Sequence, residues 1–353
     1  MRVDDFSFSL PDELIAQEAV ARGESRLLTL GRESGAIRHR HIRDLPDALR
    51  AGDVLVVNDT RVFAARLLGR RVPSGGAVEC LLLGAPLERQ PDGSARFEAL
   101  VHPGQKLKPG ARVRFDGPSG GLDGEILERR FFGRRVVRLT PDAGQDLDAL
   151  VDAIGHVPLP PYIHRADDAA DRERYQTVYA RDRGSVAAPT AGLHFTPDIL
   201  DAISDRGVIR AAITLHVGYG TFKPIRTDTV EQHVVDPEPY EISDDTAAAI
   251  ARARADGRRI VAVGTTTTRA LEDAALRGDG VVRAGRAQAE VFIHPGFRFQ
   301  VIEGLLTNFH LPESSLLMLV CAFGGRERVL AAYAEAVRER YRFYSYGDAM
   351  LVV

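Results

Sequence analysis

Four short stretches in the C-terminal half carry the residue types that handle charged small molecules. The first is residues 185–196, containing Pro189-Thr190-Ala191-Gly192-Leu193-His194. The others are Leu215-His216-Val217-Gly218-Tyr219-Gly220-Thr221-Phe222, Val263-Gly264-Thr265-Thr266-Thr267-Thr268-Arg269 and Thr307-Asn308-Phe309-His310-Leu311-Pro312. Glycine lets a ligand approach the backbone, and hydroxyls and helix N-termini bind carboxylate or phosphate. Histidine moves protons near neutral pH. Each feature also has a plain reading. Gly218-Tyr219-Gly220 is a common turn, a run of threonines caps helices, and a lone histidine is more often structural than catalytic. Four such loops on one sheet change the balance, because open α/β sheets bind ligands at the carboxyl ends of their strands.

The elements that must position these loops follow from pattern. Residues 53–57, 208–217 and 259–263 read as buried strands. Thr196-Pro197-Asp198 starts a helix with a hydroxyl cap, a proline in the first turn and an acid for the dipole, and Gly207 stops it. Residues 244–256 read as a helix closed by Gly257, and further helices are expected at about 269–277, 313–323 and 327–340. Strand–helix alternation of this kind implies a mixed-sheet α/β domain. Residues 61–151 show no helical period. Short strands are expected there at 62–71, 77–83, 96–100, 112–115, 124–130 and 134–139, with Phe132-Gly133 as a hairpin tip. Six short strands at this spacing suggest a small closed barrel. The predicted fold is α/β: a mixed-sheet main domain, residues 1–60 plus 152–353, interrupted by an inserted six-stranded closed β-barrel, residues 61–151.

Composition narrows the function classes. The 353-residue chain is 44% hydrophobic and 27% charged, which suits a soluble protein with a sizeable core. Its two cysteines, Cys80 and Cys321, lie far apart in apolar runs, which excludes a disulfide framework and a thiolate zinc site and fits a reducing cytosol. The start carries acids and no apolar segment, so no secretory signal is expected; the longest strongly apolar run, 316–323, is too short to span a membrane. A cytoplasmic protein without a membrane partner is the expectation. A net charge of −3 argues against a nucleic-acid coat protein. Residues 61–151, however, hold 15 Lys and Arg against 11 Asp and Glu, a net +4, leaving −7 on the remainder. Arg66, Arg70, Arg71, Arg129, Arg130, Arg134 and Arg135 flank apolar positions and Phe131-Phe132. They are the best nucleic-acid candidate, with a solvated barrel face as the plain alternative. No P-loop, no Gly-x-Gly-x-x-Gly after a strand and no Gly-x-Ser-x-Gly occurs. Apart from His39-x-His41, the ten histidines form no ligand pair, so no metal is expected.

Longer motifs carry a resemblance. They are Asp5-Phe6 with Leu10-Pro11-Asp12-Glu13-Leu14-Ile15-Ala16-Gln17, Ser25-Arg26-Leu27-Leu28, the run from Asp53 through Asn58-Asp59-Thr60-Arg61-Val62, Gly155-His156-Val157-Pro158-Leu159-Pro160-Pro161-Tyr162-Ile163, Tyr175-Gln176-Thr177-Val178-Tyr179-Ala180, the four loops, and the closing run from Tyr341 to Leu351. Together they resemble the S-adenosylmethionine:tRNA ribosyltransferase-isomerases of queuosine biosynthesis over nearly the whole chain. The barrel matches least well outside His102-Pro103-Gly104. Thr267-Thr268 stands where serine is frequent after Gly-Thr-Thr, and Glu313-Ser314-Ser315 where Arg-Ser-Thr is frequent; both keep small hydroxyls. The resemblance implies an α/β domain carrying a six-stranded barrel. It also implies transfer of the ribosyl part of S-adenosylmethionine to a 7-aminomethyl-7-deazaguanine base at the tRNA wobble position. The product is the epoxycyclopentanediol of epoxyqueuosine, with release of adenine and methionine and without a metal.

That chemistry sorts the residues. A sulfonium acidifies the neighbouring C5′ hydrogens, so a base must lie within reach of that carbon; adenine departs more easily when protonated, and the tRNA amine must be neutral to attack. His194 and His310 are assigned to proton transfer, with Tyr219 and His216 in reserve and Glu290 as a carboxylate alternative. Thr265, Thr266 and Arg269 are expected to hold a substrate carboxylate or ribose hydroxyl at a helix start. Gly218, Gly220 and Thr190 are expected to give the substrate room, and Gly192, Thr221, Gly264, Asn308 and Phe309 complete the binding set. Asn58, Asp59 and Arg61 lie at a strand end that faces the same cleft in this reading. Tyr219, Phe222 and Phe309 are candidates to shield the sulfonium with an aromatic face. A monomer is expected. Two other classes remain open: a non-catalytic tRNA-binding module using the barrel arginines, and a metal-dependent hydrolase using dispersed histidines.

Overall fold

The computed structural model describes residues 1–118, 120–223 and 225–353. Among them, the largest sheet has nine strands in the order Gly285–Ala289, Glu238–Ile242, Ile209–Leu215, Val54–Asn58, Ile260–Val263, Gly304–Asn308, Ala349–Val352, Arg26–Leu30 and Ile37–His41. The four strands Ile209–Leu215, Val54–Asn58, Ile260–Val263 and Gly304–Asn308 are mutually parallel, while the outer pairings are mixed. Three of the four are buried at every residue, as expected of parallel strands covered on both faces. Successive side chains point to opposite faces. Val54 and Val56 join the core formed with the helices Asp244–Ala255, Thr265–Arg277, Ser315–Gly324 and Arg326–Arg338. Leu55 and Val57 join the core on the other face, with Leu45 and the helix Pro197–Asp205. Because the four strands are parallel, their carboxyl ends share one edge. The first residues beyond that edge are His216, Asp59, Gly264 and Phe309.

Local chemistry sets the helix starts. Thr196, Ser243 and Ser314 each accept a hydrogen bond from the backbone three residues on, at 3.2 Å. The helix predicted from residue 269 begins four residues earlier, at Thr265. Thr267 and Thr268 donate their hydroxyls back to the carbonyls of Val263 and Gly264, at 2.7 and 3.1 Å, so the threonine run forms the first helical turn rather than a loop.

The barrel lies between Val54–Asn58 and Ile209–Leu215 in the chain. Arg66–Val72, Ala77–Leu82, Ala95–His102, Arg134–Pro141, Gly120–Arg129 and Arg112–Gly117 pair antiparallel in a ring. Leu67, Val78, Cys80, Phe97, Phe115, Ile126 and Val137 fill it, and the helix Leu147–Ile154 packs Leu147, Leu150 and Val151 into the same core. The expected mixed-sheet α/β body with a six-stranded closed barrel is present. One predicted strand, 62–71, is split in two. Thr60–Val62 pairs in parallel with Asp182–Ser185, and only Arg66–Val72 enters the barrel. Among the described residues, no helix is long and apolar enough to cross a membrane.

Candidate active site at the parallel strand edge

All four loops meet at the shared strand edge. One pocket there is lined by Pro189, Thr190 and Ala191 from the first loop, Val217 and Thr221 from the second, Gly264, Thr265 and Thr266 from the third, and Asn308 and His310 from the fourth. Tyr162, Ala187, Ala188, Thr307, Leu316, Tyr344 and Ser345 complete the wall. A second groove, lined by Lys223, His233, Asp236, Glu238, Arg269 and Phe292, shares Thr221 and Leu316 with the first. The two hollows therefore adjoin.

The pocket floor is the N-terminus of the helix Thr265–Arg277, whose first-turn N–H groups have no helical partner. Gly264 precedes it at φ +92°, a conformation that a side chain makes costly. Thr266 Oγ1 is buried here without a partner. The Asn308 side chain is 2% exposed. Its Nδ2 donates to the carbonyls of Tyr344 and Ser345, at 3.0 and 3.5 Å, and those two acceptors fix the orientation of the amide. Asn308 Oδ1 is left buried and unpartnered. Leaving such an acceptor unpaired costs on the order of 1–3 kcal/mol. A ligand supplying an N–H or O–H donor would remove that cost, and an anionic group would be held by the helix N-terminus.

The two leading histidines play different parts. His194 stands behind Asn308 and outside the pocket lining. Its Nε2 accepts from Asn308 Nδ2 at 3.3 Å, and its Nδ1 bonds Ser25 Oγ at 2.8 Å. Burial pushes its pKa down to about 4, against the opposing pull of Asp348. His310 does line the pocket. Its Nε2 bonds Thr307 Oγ1 at 2.8 Å and its backbone N–H donates to Tyr333 Oη at 3.1 Å; Nδ1 has no partner among the described residues. Burial lowers its pKa to about 3. The expectation that these groups titrate near neutrality is therefore corrected. With too little negative charge nearby to offset desolvation, both are neutral imidazoles at pH 7. His216 lies outside both hollows, packed over Gly184 with Nδ1 on Thr60 Oγ1 at 2.8 Å. Tyr219 sits on the short 3₁₀ turn Tyr219–Phe222 and lines neither hollow; the Phe222 side chain lies outside the described residues.

Several expected binding residues are already engaged by the protein. Arg269 gives its guanidinium to Glu238 Oε2 at 2.5 Å and to the carbonyls of Ala289 and Val291, at 2.9 and 3.2 Å. The space beside Gly192 is filled by Tyr179 Oη, and that beside Gly220 by Asp236. The Gly218 N–H donates to Glu238 Oε1 at 2.9 Å. Phe309 is fully buried against Tyr333, Tyr341 and Phe343, at centroid distances of 5.1 to 5.5 Å, and offers no face to a cation. Glu290 is exposed beside Arg277. Asn58 staples two strand ends: its Oδ1 accepts from Thr60 and Leu215 N–H, and its Nδ2 donates to the Leu215 carbonyl. Asp59 accepts from the Thr214 hydroxyl, and Arg61 faces a separate hollow with Arg172 and Tyr175. His39 bonds Tyr341 Oη at 2.8 Å, and no three metal-ligating side chains group together among the described residues.

Sequence reasoning missed Tyr162, Tyr344 and Ser345 as pocket residues, although all three stand in the motifs that carry the resemblance. Tyr162 Oη bonds Ser345 Oγ, which ties two distant segments into one wall. It also missed the carboxylates Asp236 and Glu238. Their signal was Asp236-Pro237-Glu238-Pro239, acids held between prolines at the start of a strand. Burial pushes the Glu238 carboxyl up, against the pull of Arg269.

A polar pocket at a parallel strand edge, on an α/β body with a closed barrel, defines an α/β protein with a ligand-binding cleft at the carboxyl ends of its strands. A sequence model described as queuosine biosynthesis protein matches residues 3–352. Proteins from Heliobacterium modesticaldum and Symbiobacterium thermophilum, both named S-adenosylmethionine:tRNA ribosyltransferase-isomerase, are 51% and 50% identical over 354 residues, with 100% of each chain covered. The crystal structure of an S-adenosylmethionine tRNA ribosyltransferase from Thermotoga maritima is 36% identical, with a TM-score of 0.54, covering 99% of this chain and 100% of that one. The chain belongs to the queuosine biosynthesis protein family, alongside these ribosyltransferase-isomerases, as its motifs indicated.

Proposed function

We propose that the protein transfers and isomerises the ribosyl moiety of S-adenosylmethionine onto the 7-aminomethyl-7-deazaguanine base at the wobble position of tRNA. Epoxyqueuosine-tRNA is formed, and adenine and methionine are released. The names of the relatives support S-adenosylmethionine as donor and tRNA as acceptor. Within the protein, the observation that carries this reading is the pair of buried, unpartnered atoms, Asn308 Oδ1 and Thr266 Oγ1, beside one helix N-terminus. S-adenosylmethionine offers donors for the first in its amine and hydroxyl groups, and a carboxylate for the second and the helix end.

In this reading the first turn of Thr265–Arg277 takes the anchoring role expected of Arg269. His310 Nδ1 is the proton acceptor, and burial keeps it in the neutral form a base requires. A pKa near 3 makes Nδ1 a weak base, so abstraction draws on the C5′ acidity that the sulfonium supplies, and the proton then passes readily to departing adenine. His194 moves no proton; it holds Asn308 in place. S-adenosylmethionine is a substrate, and no metal takes part. The barrel, read as an inserted domain over residues 61–151, serves the tRNA, and the protein works as a cytoplasmic monomer.

The test is incubation with S-adenosylmethionine and tRNA carrying the aminomethyl base, followed by measurement of adenine. Adenine release that depends on both substrates is expected. No release above an enzyme-free control overturns the reading.

A further inference from the structure

Phe131 and Phe132 form the tip of the hairpin joining Gly120–Arg129 to Arg134–Pro141. At 87% and 90% exposure they are the most exposed large apolar side chains among the described residues. Phe132 also sits at φ +56°, an uncommon region for a bulky residue. Folding gains nothing from two such rings in water. The tip is nevertheless firmly built. Arg135 is buried under it and donates to the carbonyls of Gly133, Arg134 and Gly104, each at 3.0 Å, bracing the hairpin against the loop of residues 103–108. That loop carries Lys106 and Lys108, two of the three lysines in the chain, and the hairpin carries Arg129. All three are exposed, with no ion-pair partner among the described residues.

The tip stands beside the cleft. Arg134, the next strand residue, pairs with Asp236 at 2.9 Å, and Asp236 lines the groove that adjoins the main pocket. Exposed rings between unpaired cations match a polyanion that also offers flat bases. A protein interface would instead be depleted in lysine at its core. An enzyme that modifies a base must draw it out of its stack, which leaves neighbouring bases without partners.

We infer that Phe131 and Phe132, with Lys106, Lys108 and Arg129, form the docking surface for unpaired nucleotides of an RNA loop, the rings stacking on bases next to the reactive one and the cations meeting phosphates. The inference rests on the tRNA-modifying reading above and extends it to the grip on the RNA.

Binding of an anticodon stem-loop RNA, measured by fluorescence anisotropy across a salt series, tests it. Replacing both rings (Phe131→Ser with Phe132→Ser) is expected to weaken binding about 10- to 100-fold at every salt concentration, without changing the salt slope. The Lys106→Ala, Lys108→Ala, Arg129→Ala variant is expected to lower the slope of log Kd against log salt by about 2. Both variants should keep the wild-type Tm and S-adenosylmethionine affinity. Ring-variant binding within about twofold of wild type, an unchanged slope in the cation variant, or wild-type protein that does not bind the RNA overturns the inference. So does a ring variant whose only defect is lost self-association. If binding falls as expected but wild type releases no adenine, the docking surface stands and the reaction reading fails. If wild type turns over and the ring variant keeps its KM for tRNA, the reverse holds.

Discussion

Asn308 and His194 hold each other in place: the Asn308 amide reaches His194 Nε2 at 3.3 Å while the same nitrogen donates to the Tyr344 carbonyl at 3.0 Å. The histidine thereby loses access to the pocket, and the asparagine turns its oxygen toward it. One consequence concerns affinity. Asn308→Ala is expected to weaken S-adenosylmethionine binding about tenfold by calorimetry, the worth of one hydrogen bond of about 1.4 kcal/mol. Asn308→Asp would set a carboxylate oxygen against two carbonyls, so a lower Tm is expected as well. Unchanged affinity in the alanine variant would remove Asn308 from the binding site.

Acid stability follows from the same pair. The His194 pKa is depressed from its ordinary 6.5 to about 4, so as pH falls the unfolded chain takes up its proton first. The neutral histidine therefore contributes stability fully above pH 6.5, and this is lost progressively as pH drops toward 4. The loss is on the order of 3 kcal/mol. Burial depresses His310 in the same direction, to about 3. Urea unfolding compared near pH 7 and near pH 4.5 should show the drop, with a shallower dependence in His194→Gln. A pH-independent wild type would contradict the burial argument.

Catalysis should separate the two histidines. His310→Ala is expected to lower kcat by about 100-fold or more while S-adenosylmethionine still binds. His194→Gln, acting through Asn308, is expected to raise KM with a smaller effect on kcat. No fall in kcat is expected on the acid side near pH 6.5, since neither histidine titrates there. The reverse split between the variants would exchange their roles.

Arg269 and Glu238 form a buried ion pair at 2.5 Å, with side-chain exposures of 11% and 5%. Glu238→Gln leaves a buried guanidinium without its counter-charge and should cost about 3–5 kcal/mol of stability. Arg269→Met with Glu238→Leu should cost much less than the single change. A double-mutant cycle of Arg269→Met and Glu238→Leu, singly and together, measures the coupling by denaturant unfolding, and an additive result would mean the pair is not coupled.

Gly192 and Tyr179 make a packing prediction. A Cβ at residue 192 would collide with Tyr179 Oη, which is itself buried without a partner. Gly192→Ala should lower Tm, and adding Tyr179→Phe should restore part of the loss. Tyr179→Phe alone should be close to neutral. A Gly192→Ala protein as stable as wild type would mean the backbone there yields freely.

Strand identities, the barrel and the four loops were legible because they depend on local pattern. Apolar runs such as Val54-Leu55-Val56-Val57 must be buried on both faces, and three of the four loops follow parallel strands that share an edge; the loop of residues 185–196 instead follows Asp182–Ser185 in a separate two-stranded sheet. Side-chain duties at that edge were not legible, since each depends on a partner far away in the chain. Arg269 is engaged by Glu238, Gly192 by Tyr179, and Phe309 by an aromatic core assembled from Tyr333, Tyr341 and Phe343.

The residues by themselves determined which stretches are strands and which loops carry the chemistry-bearing side chains, and they raised the expectation of one shared cleft, because periodicity and the parallel rule act over a few residues. Only the tertiary structure decided which atoms face that pocket unpaired. Asn308 Oδ1 is free because the Asn308 amide nitrogen is turned to the Tyr344 carbonyl and His194, contacts settled by distance in space rather than along the chain, and Thr266 Oγ1 is buried beside it without a partner.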